Sequence, residues 1–426
     1  MISEWVLAQK LRRSWRADAL EEMQMRKLHG MLHYAYDNVP FYHRKFSEAG
    51  VKPDDIRTLQ DLVKIPTTTK SEIQQAPVSD LIARGIETSG CGENITSGST
   101  GMPLVTYMDK NAIGLYSAVW IAVFQENGVR LRDKRAIIGE PRNFPKKKNL
   151  NEYIGIMRRK HISIFDDVQT QLNMLREYRP NIIEGYPSSL TILADAYHKR
   201  GGGLSPRLIF TLAEVLEKAS RNFISSSFAA DVLDYYGSSE FSLLAWECRE
   251  HAGYHANADC AIMEFLKNGE VVADNERGEI TCTSLVNHAM PLIRYCHGDI
   301  GISLKEKCPC GRTLPMMKVV EGRTDDFLTS VDGRIISPTL FFPYPFKNFA
   351  NIRQFKVIQE QKNRIRIQLV VRDRSLSNEV LHEAIKEIRR VFGDAMQVEF
   401  EFLEELERDR SGKLKKVVSR VPVNFG

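Results

Sequence analysis

The chain has 426 residues, 43% hydrophobic and 27% charged, with a formal net charge of +5 and seven cysteines. That length suits roughly two or three domains with a large buried core. The mild charge would suit an anionic small molecule and is no evidence for nucleic acid, whose binders carry a basic stripe. The longest apolar run, near 113–124, is too short to span a bilayer and reads as a buried helix.

Up to about residue 50 the pattern is helical, with Leu20, Met23, Leu28, Met31 and Leu32 at helical spacing. Val39-Pro40-Phe41-Tyr42 is expected to end that element, since Pro40 disfavours helix at the residue before it. Residues 53–77 read as a turn-rich connection and 110–126 as a helix. Between them lies Asn94-Ile95-Thr96-Ser97-Gly98-Ser99-Thr100-Gly101-Met102-Pro103, with four hydroxyl-bearing residues and two glycines. Such a loop can turn backbone N–H groups and hydroxyls toward one anion. It lacks the lysine of a Walker A loop, and by itself it reads equally as a flexible linker.

The middle of the chain alternates strands and helices. Asn181-Ile182-Ile183-Glu184 reads as a strand that leaves through Gly185-Tyr186-Pro187-Ser188 into a helix over 189–199, halted by Gly201-Gly202-Gly203. Leu208–Thr211 leaves through Leu212-Ala213-Glu214, and Val232–Tyr235 through Tyr236-Gly237-Ser238-Ser239-Glu240. This order predicts β-α-β units in a parallel sheet, with the three exits along the ligand-binding edge. Short strands at 263–265, 270–272, 279–282 and 291–294 predict an antiparallel subdomain. Beyond about residue 324 a compact α+β unit is expected: Ile365, Ile367 and Leu369 alternate with polar residues, and Val380, Leu381, Ala384, Ile385, Ile388 and Phe392 line a helix capped by Ser377.

Five segments in this order, Thr96–Pro103, Tyr236–Glu240, Arg294–Asp299, Gly322–Asp326 and Ser411–Lys413, resemble the adenylate-forming superfamily of acyl-CoA synthetases, nonribosomal adenylation domains and luciferases. Val39–Tyr42, Gly185–Ser188 and Cys308-Pro309-Cys310-Gly311-Arg312 resemble its phenylacetate–CoA ligase and CapK-like branch. The resemblance implies a large N-terminal α/β domain (1–323) that binds ATP and a carboxylic acid, and a small mobile α+β domain (324–426). It also implies chemistry in which the acid attacks the α-phosphate of ATP to give acyl-AMP. Two anions must meet there, so the site must neutralise charge and hold the groups in line.

Residue by residue, the resemblance gives Thr96, Ser97, Gly98, Ser99, Thr100 and Gly101 the β- and γ-phosphates. Glu240 would hold Mg²⁺. Tyr236, Gly237, Ser238, Ser239, Ala213 and Glu214 would line the nucleotide, Ala213 standing where relatives often carry glycine. Asp299 would take the ribose hydroxyls with Arg323, Asp325 would be the hinge, and Lys413 would stabilise the transferring group. Cys296 and His297 depart from the Arg-Thr usual before the Gly-Asp pair. Tyr186, Pro187 and Ser188 would border the acid. The acceptor stays open among the thiol of coenzyme A, an amine and a hydroxyl, because the stretch Leu328–Pro338 lacks the basic, glycine-containing form usual in CoA-using members.

Cys248, His255, Cys308 and Cys310 compose a Cys₃His set suited to structural Zn²⁺, with His251 the alternative to His255. Cys260, Cys282 and Cys296 sit in apolar or strand-like contexts and read as packing. The start Met1-Ile2-Ser3-Glu4-Trp5 lacks a secretory layout, so the cysteines are expected to be reduced and the protein cytoplasmic, as monomer or homodimer. Two rival readings are a non-catalytic acyl- or nucleotide-binding subunit and a zinc-stabilised nucleic-acid binder; the kept Lys413, Glu240 and Asp299 weigh against the first.

Overall fold

The computed structural model describes residues 2–16, 20–95, 104–141, 144–145, 150–200, 202–216, 218–321, 328–336, 352–371, 376–404, 406 and 417–421. The expectations for Thr96–Gly101, Arg323, Asp325 and Lys413 therefore lie outside the described residues. Two compact units emerge: one from Met1–Thr96, Leu104–Leu131 and Leu233–Gly322, the other chiefly from Arg132–Val232 and Arg323–Gly426.

The first unit opens with helices Ile2–Ser14, Leu20–Asn38 and Pro40–Glu48. Pro40 does not merely stop a helix; it starts the next one, because its missing N–H is no loss in a first turn. That helix buries Tyr42, whose hydroxyl accepts the N–H of Ile293 at 2.8 Å. Strands β1 (Gly92–Ile95) and β2 (Val105–Met108) pair antiparallel. The helix Lys110–Glu126 starts where the Asp109 carboxylate accepts from the N–H groups of Asn111 and Ala112 at 2.8 and 2.9 Å. Its buried residues, Ala112, Tyr116, Ala118, Val119, Ala122, Val123 and Phe124, make it the interior helix its composition predicts.

In the second unit β3 (Arg135–Gly139), β4 (Arg159–Ser163), β5 (Ile182–Gly185) and β6 (Leu208–Leu212) run parallel in the order β4-β3-β5-β6. Ala136, Ile138, Ile162, Ile183 and Ile209 are buried in one core with Leu172 and Leu175 of helix Val168–Tyr178 and Leu190, Leu193 and Ala194 of helix Pro187–Arg200. Pro187 and Ser188 belong to the first turn of that helix, which corrects the exit turn expected over 185–188. Proline tolerates the first turn, so the strand passes into the helix almost without a loop.

Returning to the first unit, β7 (Asp231–Ser238), β8 (Ser242–Glu247), β9 (Tyr254–Ala256), β10 (Ala261–Lys267), β11 (Glu270–Val271), β12 (Arg277–Ser284), β13 (Tyr295–Leu304) and β14 (Met316–Glu321) lie in the order β11-β10-β12-β13-β14-β9-β8-β7. Each neighbouring pair from β11 to β7 is antiparallel. Two expectations change. Tyr236–Ser238 are the end of β7 rather than an exit turn, because they pair with β8 across a bulge at Gly237. Residues 291–294 are not a strand, and pairing begins at Tyr295. Arg294 instead takes a left-handed backbone, φ 47°, and its side chain is 2% exposed. Its guanidinium donates to both Glu264 oxygens, at 3.0 and 2.9 Å, and to the Ile65 carbonyl at 2.5 Å.

The C-terminal part of the second unit holds β15 (Leu328–Thr329), β16 (Ile335–Ile336) and a sheet β19-β18-β17-β20, from β17 (Ile352–Gln361), β18 (Arg364–Val371), β19 (Gln397–Phe402) and β20 (Val417–Ser419). Ile365, Ile367 and Leu369 are buried, as their alternation predicts, in the same core as Ala384, Ile388 and Phe392 of helix Asn378–Phe392. Ser377 caps that helix. Among the described residues no helix is long and apolar enough to cross a membrane.

Removing one partner of a buried, hydrogen-bonded ion pair strands the other charge. Arg294→Met is therefore expected to cost about 3–5 kcal/mol in urea denaturation. Arg294→Met with Glu264→Leu, which removes both charges, should recover most of the loss.

Candidate active site

β13 carries Tyr295, His297 and Asp299, and its pairing with β12 shifts register between Cys296 and Ile300, where Gly298 takes φ 80°. The hairpin tip between β7 and β8 carries Ser239 and Glu240. There Tyr236 donates its hydroxyl to Asp299 Oδ2 at 2.9 Å, and Tyr295 donates to Glu240 Oε1 at 3.0 Å. Two phenols thus fix two half-buried carboxylates, each through one oxygen. Burial, reinforced by the Asp299 charge, raises the Tyr236 pKa well above its usual value, so it remains a donor at neutral pH. Burial also raises the carboxyl pKa of Glu279, with the Asp299 charge adding and a hydrogen bond from the Gly298 N–H opposing.

The hairpin geometry has a steric cause. A Cβ at Gly237 would lie 2.2 Å from the Ser242 carbonyl oxygen, so only glycine fits the bulge. Ser242 itself has φ 59°, and Ser238 Oγ accepts from the Phe241 N–H at 3.2 Å. These contacts hold Glu240 at the tip.

Of the sequence-predicted residues, Tyr236, Gly237, Ser238, Ser239, Glu240 and Asp299 come together in the first unit. Ala213, Glu214, Tyr186 and Pro187 lie in the second, at the ends of β6 and β5; the Ser188 side chain is outside those described. Ala213 is exposed and left-handed, φ 69°, a backbone that favours glycine. Sequence reasoning left Tyr295 and His297 without roles. Both stand within four residues of Asp299, in the same Tyr295–Asp299 motif, and that closeness is the signal that could have found them.

The carboxylate pair fits a magnesium nucleotide. The second oxygen of Glu240 and that of Asp299 carry no hydrogen bond among the described residues, leaving one hard oxygen donor and one acceptor for hydroxyls.

Cys248 follows β8, His255 lies in β9, and Cys308 and Cys310 lie between β13 and β14. Their ligand atoms all fall within 4.8 Å of one another, with Cys248 Sγ to Cys308 Sγ at 3.6 Å and Cys310 Sγ to His255 Nε2 at 3.4 Å. A tetrahedron built on zinc–sulfur bonds of about 2.3 Å has edges of about 3.8 Å, so donor type and spacing both fit. Burial holds His255 neutral, its pKa down to about 4, with Arg312 adding and Glu126 opposing. Burial pushes the Cys248 thiol up to about 12, a proton a cation would displace. Against burial, hydrogen bonds from Arg312 lower the Cys310 pKa. Arg312 also donates to Glu126, which accepts from Arg12 at 2.5 Å and Arg16 at 3.0 Å. Cys260 and Cys282 are buried and Cys296 half-buried, in keeping with packing roles.

The fold is that of acyl-CoA ligases. A solved 2-hydroxyisobutyryl-CoA ligase, in complex with 2-HIB-AMP and CoA, matches 94% of this chain and 89% of its own at TM-score 0.62 and 20% identity. A phenylacetate–coenzyme A ligase of Pseudomonas putida is 31% identical over 335 residues, 76% of this chain and 74% of its own. Protein CapK of Staphylococcus aureus is 22% identical over 426 residues, 97% and 92% of the two chains. Residues 328–420 match the model of the CapK C-terminal domain. The chain therefore belongs to the phenylacetate–CoA ligase and CapK-like branch of the adenylate-forming superfamily.

Left-handed backbone costs an alanine about 1–2 kcal/mol, against the larger unfolded-state freedom of glycine. Ala213→Gly should therefore hold or raise stability, by up to about 1 kcal/mol in chemical denaturation, rather than lower it.

Proposed function

We propose that the protein is an ATP-dependent, AMP-forming ligase that activates a carboxylic acid and transfers its acyl group to coenzyme A. The observation that carries this is the pair of carboxylates, Glu240 and Asp299, each oriented by a phenol and each keeping one oxygen for a ligand. Family membership supports the same chemistry.

In this reading Glu240 holds Mg²⁺, and the ion, when bound, neutralises phosphate charge. Asp299 accepts the ribose hydroxyls, with Tyr236 fixing its orientation. Ala213 and Glu214 line the base, and Tyr186, Pro187 and Ser188 border the acid. Thr96–Gly101 supply backbone and hydroxyl donors to the outgoing phosphates. Lys413 stabilises charge on the transferring group, brought in by movement of the small C-terminal domain about Asp325. Bound carboxylate then attacks the α-phosphate, and pyrophosphate leaves. A second reading, transfer to an amine or hydroxyl, is favoured by Leu328–Pro338, whose only basic residue before Pro338 is Arg334, paired with Asp332 at 2.8 Å.

Pyrophosphate exchange into ATP, run with a panel of aromatic and aliphatic acids, should return label for at least one acid. No exchange with any acid would favour the non-catalytic subunit. Lys413→Ala should slow single-turnover adenylation about a hundred- to a thousandfold while sparing acyl transfer from supplied acyl-AMP. Equal losses in both steps would make the lysine structural.

We also propose that Cys248, His255, Cys308 and Cys310 hold a structural Zn²⁺. Elemental analysis should find close to one zinc per chain. Cys308→Ser should lower both metal content and melting temperature, and metal-free, well-folded protein would refute the site.

A further inference from the structure

We propose that His297 is a nucleotide-binding residue whose imidazole N–H donates to the phosphate beside the ribose, the phosphate that bears the acyl group after activation. The inference rests on the nucleotide reading of Glu240 and Asp299 and assigns a residue that reading leaves idle.

Three observations converge. On β13, His297 stands between Tyr295, which holds Glu240, and Asp299, which holds Tyr236. Its ring is wedged, edge-on to Tyr295 at 5.4 Å and 85° and tilted against Phe241 at 5.2 Å. Its Nε2 is shielded from solvent and has no hydrogen-bond partner among the described residues. A buried donor or acceptor left unpaired is costly, and such atoms are ordinarily matched. Here the match is supplied by what the site binds.

The position says which group that is. With the metal at Glu240 and the ribose at Asp299, the part of a nucleotide lying between them is its α-phosphate. Charge supports the choice: burial lowers the His297 pKa, although Glu240 and Asp299 raise it. A neutral imidazole gives one N–H to a phosphate oxygen without placing a second cation beside the metal.

Calorimetry on the full chain, with adenosine and with AMP, separates this role from packing. His297→Phe keeps the ring and removes both nitrogens, while His297→Gln restores an N–H of similar reach. The expected result is a tenfold or greater loss of AMP affinity in His297→Phe, unchanged adenosine affinity, and recovery of most AMP affinity in His297→Gln. Unchanged AMP affinity in His297→Phe overturns the proposal. Equal loss for adenosine and AMP also overturns it, since the ring would then only shape the pocket. Should His297→Phe not fold, His297→Asn, polar but too short, enters the same comparison. Wild-type protein that binds neither compound defeats the nucleotide reading itself, and this proposal with it.

Discussion

The buried pair of Arg294 and Glu264 is the constraint on which the site depends. Taking both charges out of water is expensive, and the cost is met by near-complete pairing: two contacts to the carboxylate and a third to the Ile65 carbonyl. Thr68 donates its N–H to the Arg294 carbonyl at 2.8 Å, and its own carbonyl accepts from Cys296 at 2.9 Å. Tyr42 grips the N–H of Ile293 just before it. The chain thus enters β13 pinned from three directions. That fixes which residues face Glu240, since a one-residue slip in a strand turns every side chain to the other face.

Much of this was legible from residue order. The interior helix 110–126, the parallel strands near 182 and 208, the antiparallel run from 261, and the amphipathic helix after Ser377 all follow from periodicity and caps. What was not legible has identifiable causes. A buried arginine looks like a surface residue in sequence, so Ile293-Arg294 read as strand rather than as an anchor. Pro40 and Pro187 read as breaks, whereas at a first helical turn proline starts an element. Tyr236–Ser238 read as a turn because glycine and serines are turn formers; pairing with β8 overrode that local preference. The four metal-type donors were legible as types. Their convergence required the β8–β9 connection, strand β9 and the β13–β14 connection of the first unit to come together, which no spacing rule encodes.

The Cys310 turn shows how charge is distributed away from Glu240 and Asp299. Arg312 hydrogen-bonds the Cys310 sulfur, lies over the Trp246 ring at 5.2 Å, and reaches Glu126. Glu126 also collects Arg12 and Arg16, so the N-terminal helix is bound electrostatically to the helix 110–126 and to the turn of two cysteines. Trp15 adds a hydrogen bond to Asp259 at 2.6 Å and a ring contact with Trp246 at 5.4 Å. The outer surroundings of the Cys₃His cluster are thus built from segments far apart in the chain.

The bulge at Gly237 has a consequence for how such a protein can diverge. The carbonyl that excludes a side chain there belongs to the backbone, so no compensating substitution at a neighbouring side chain can make room. Position 237 is closed to sequence drift whatever acid or acceptor the protein serves. Exposed Ser239, two residues on, meets no such barrier. New specificity in this lineage has to be written around the hairpin rather than into its neck.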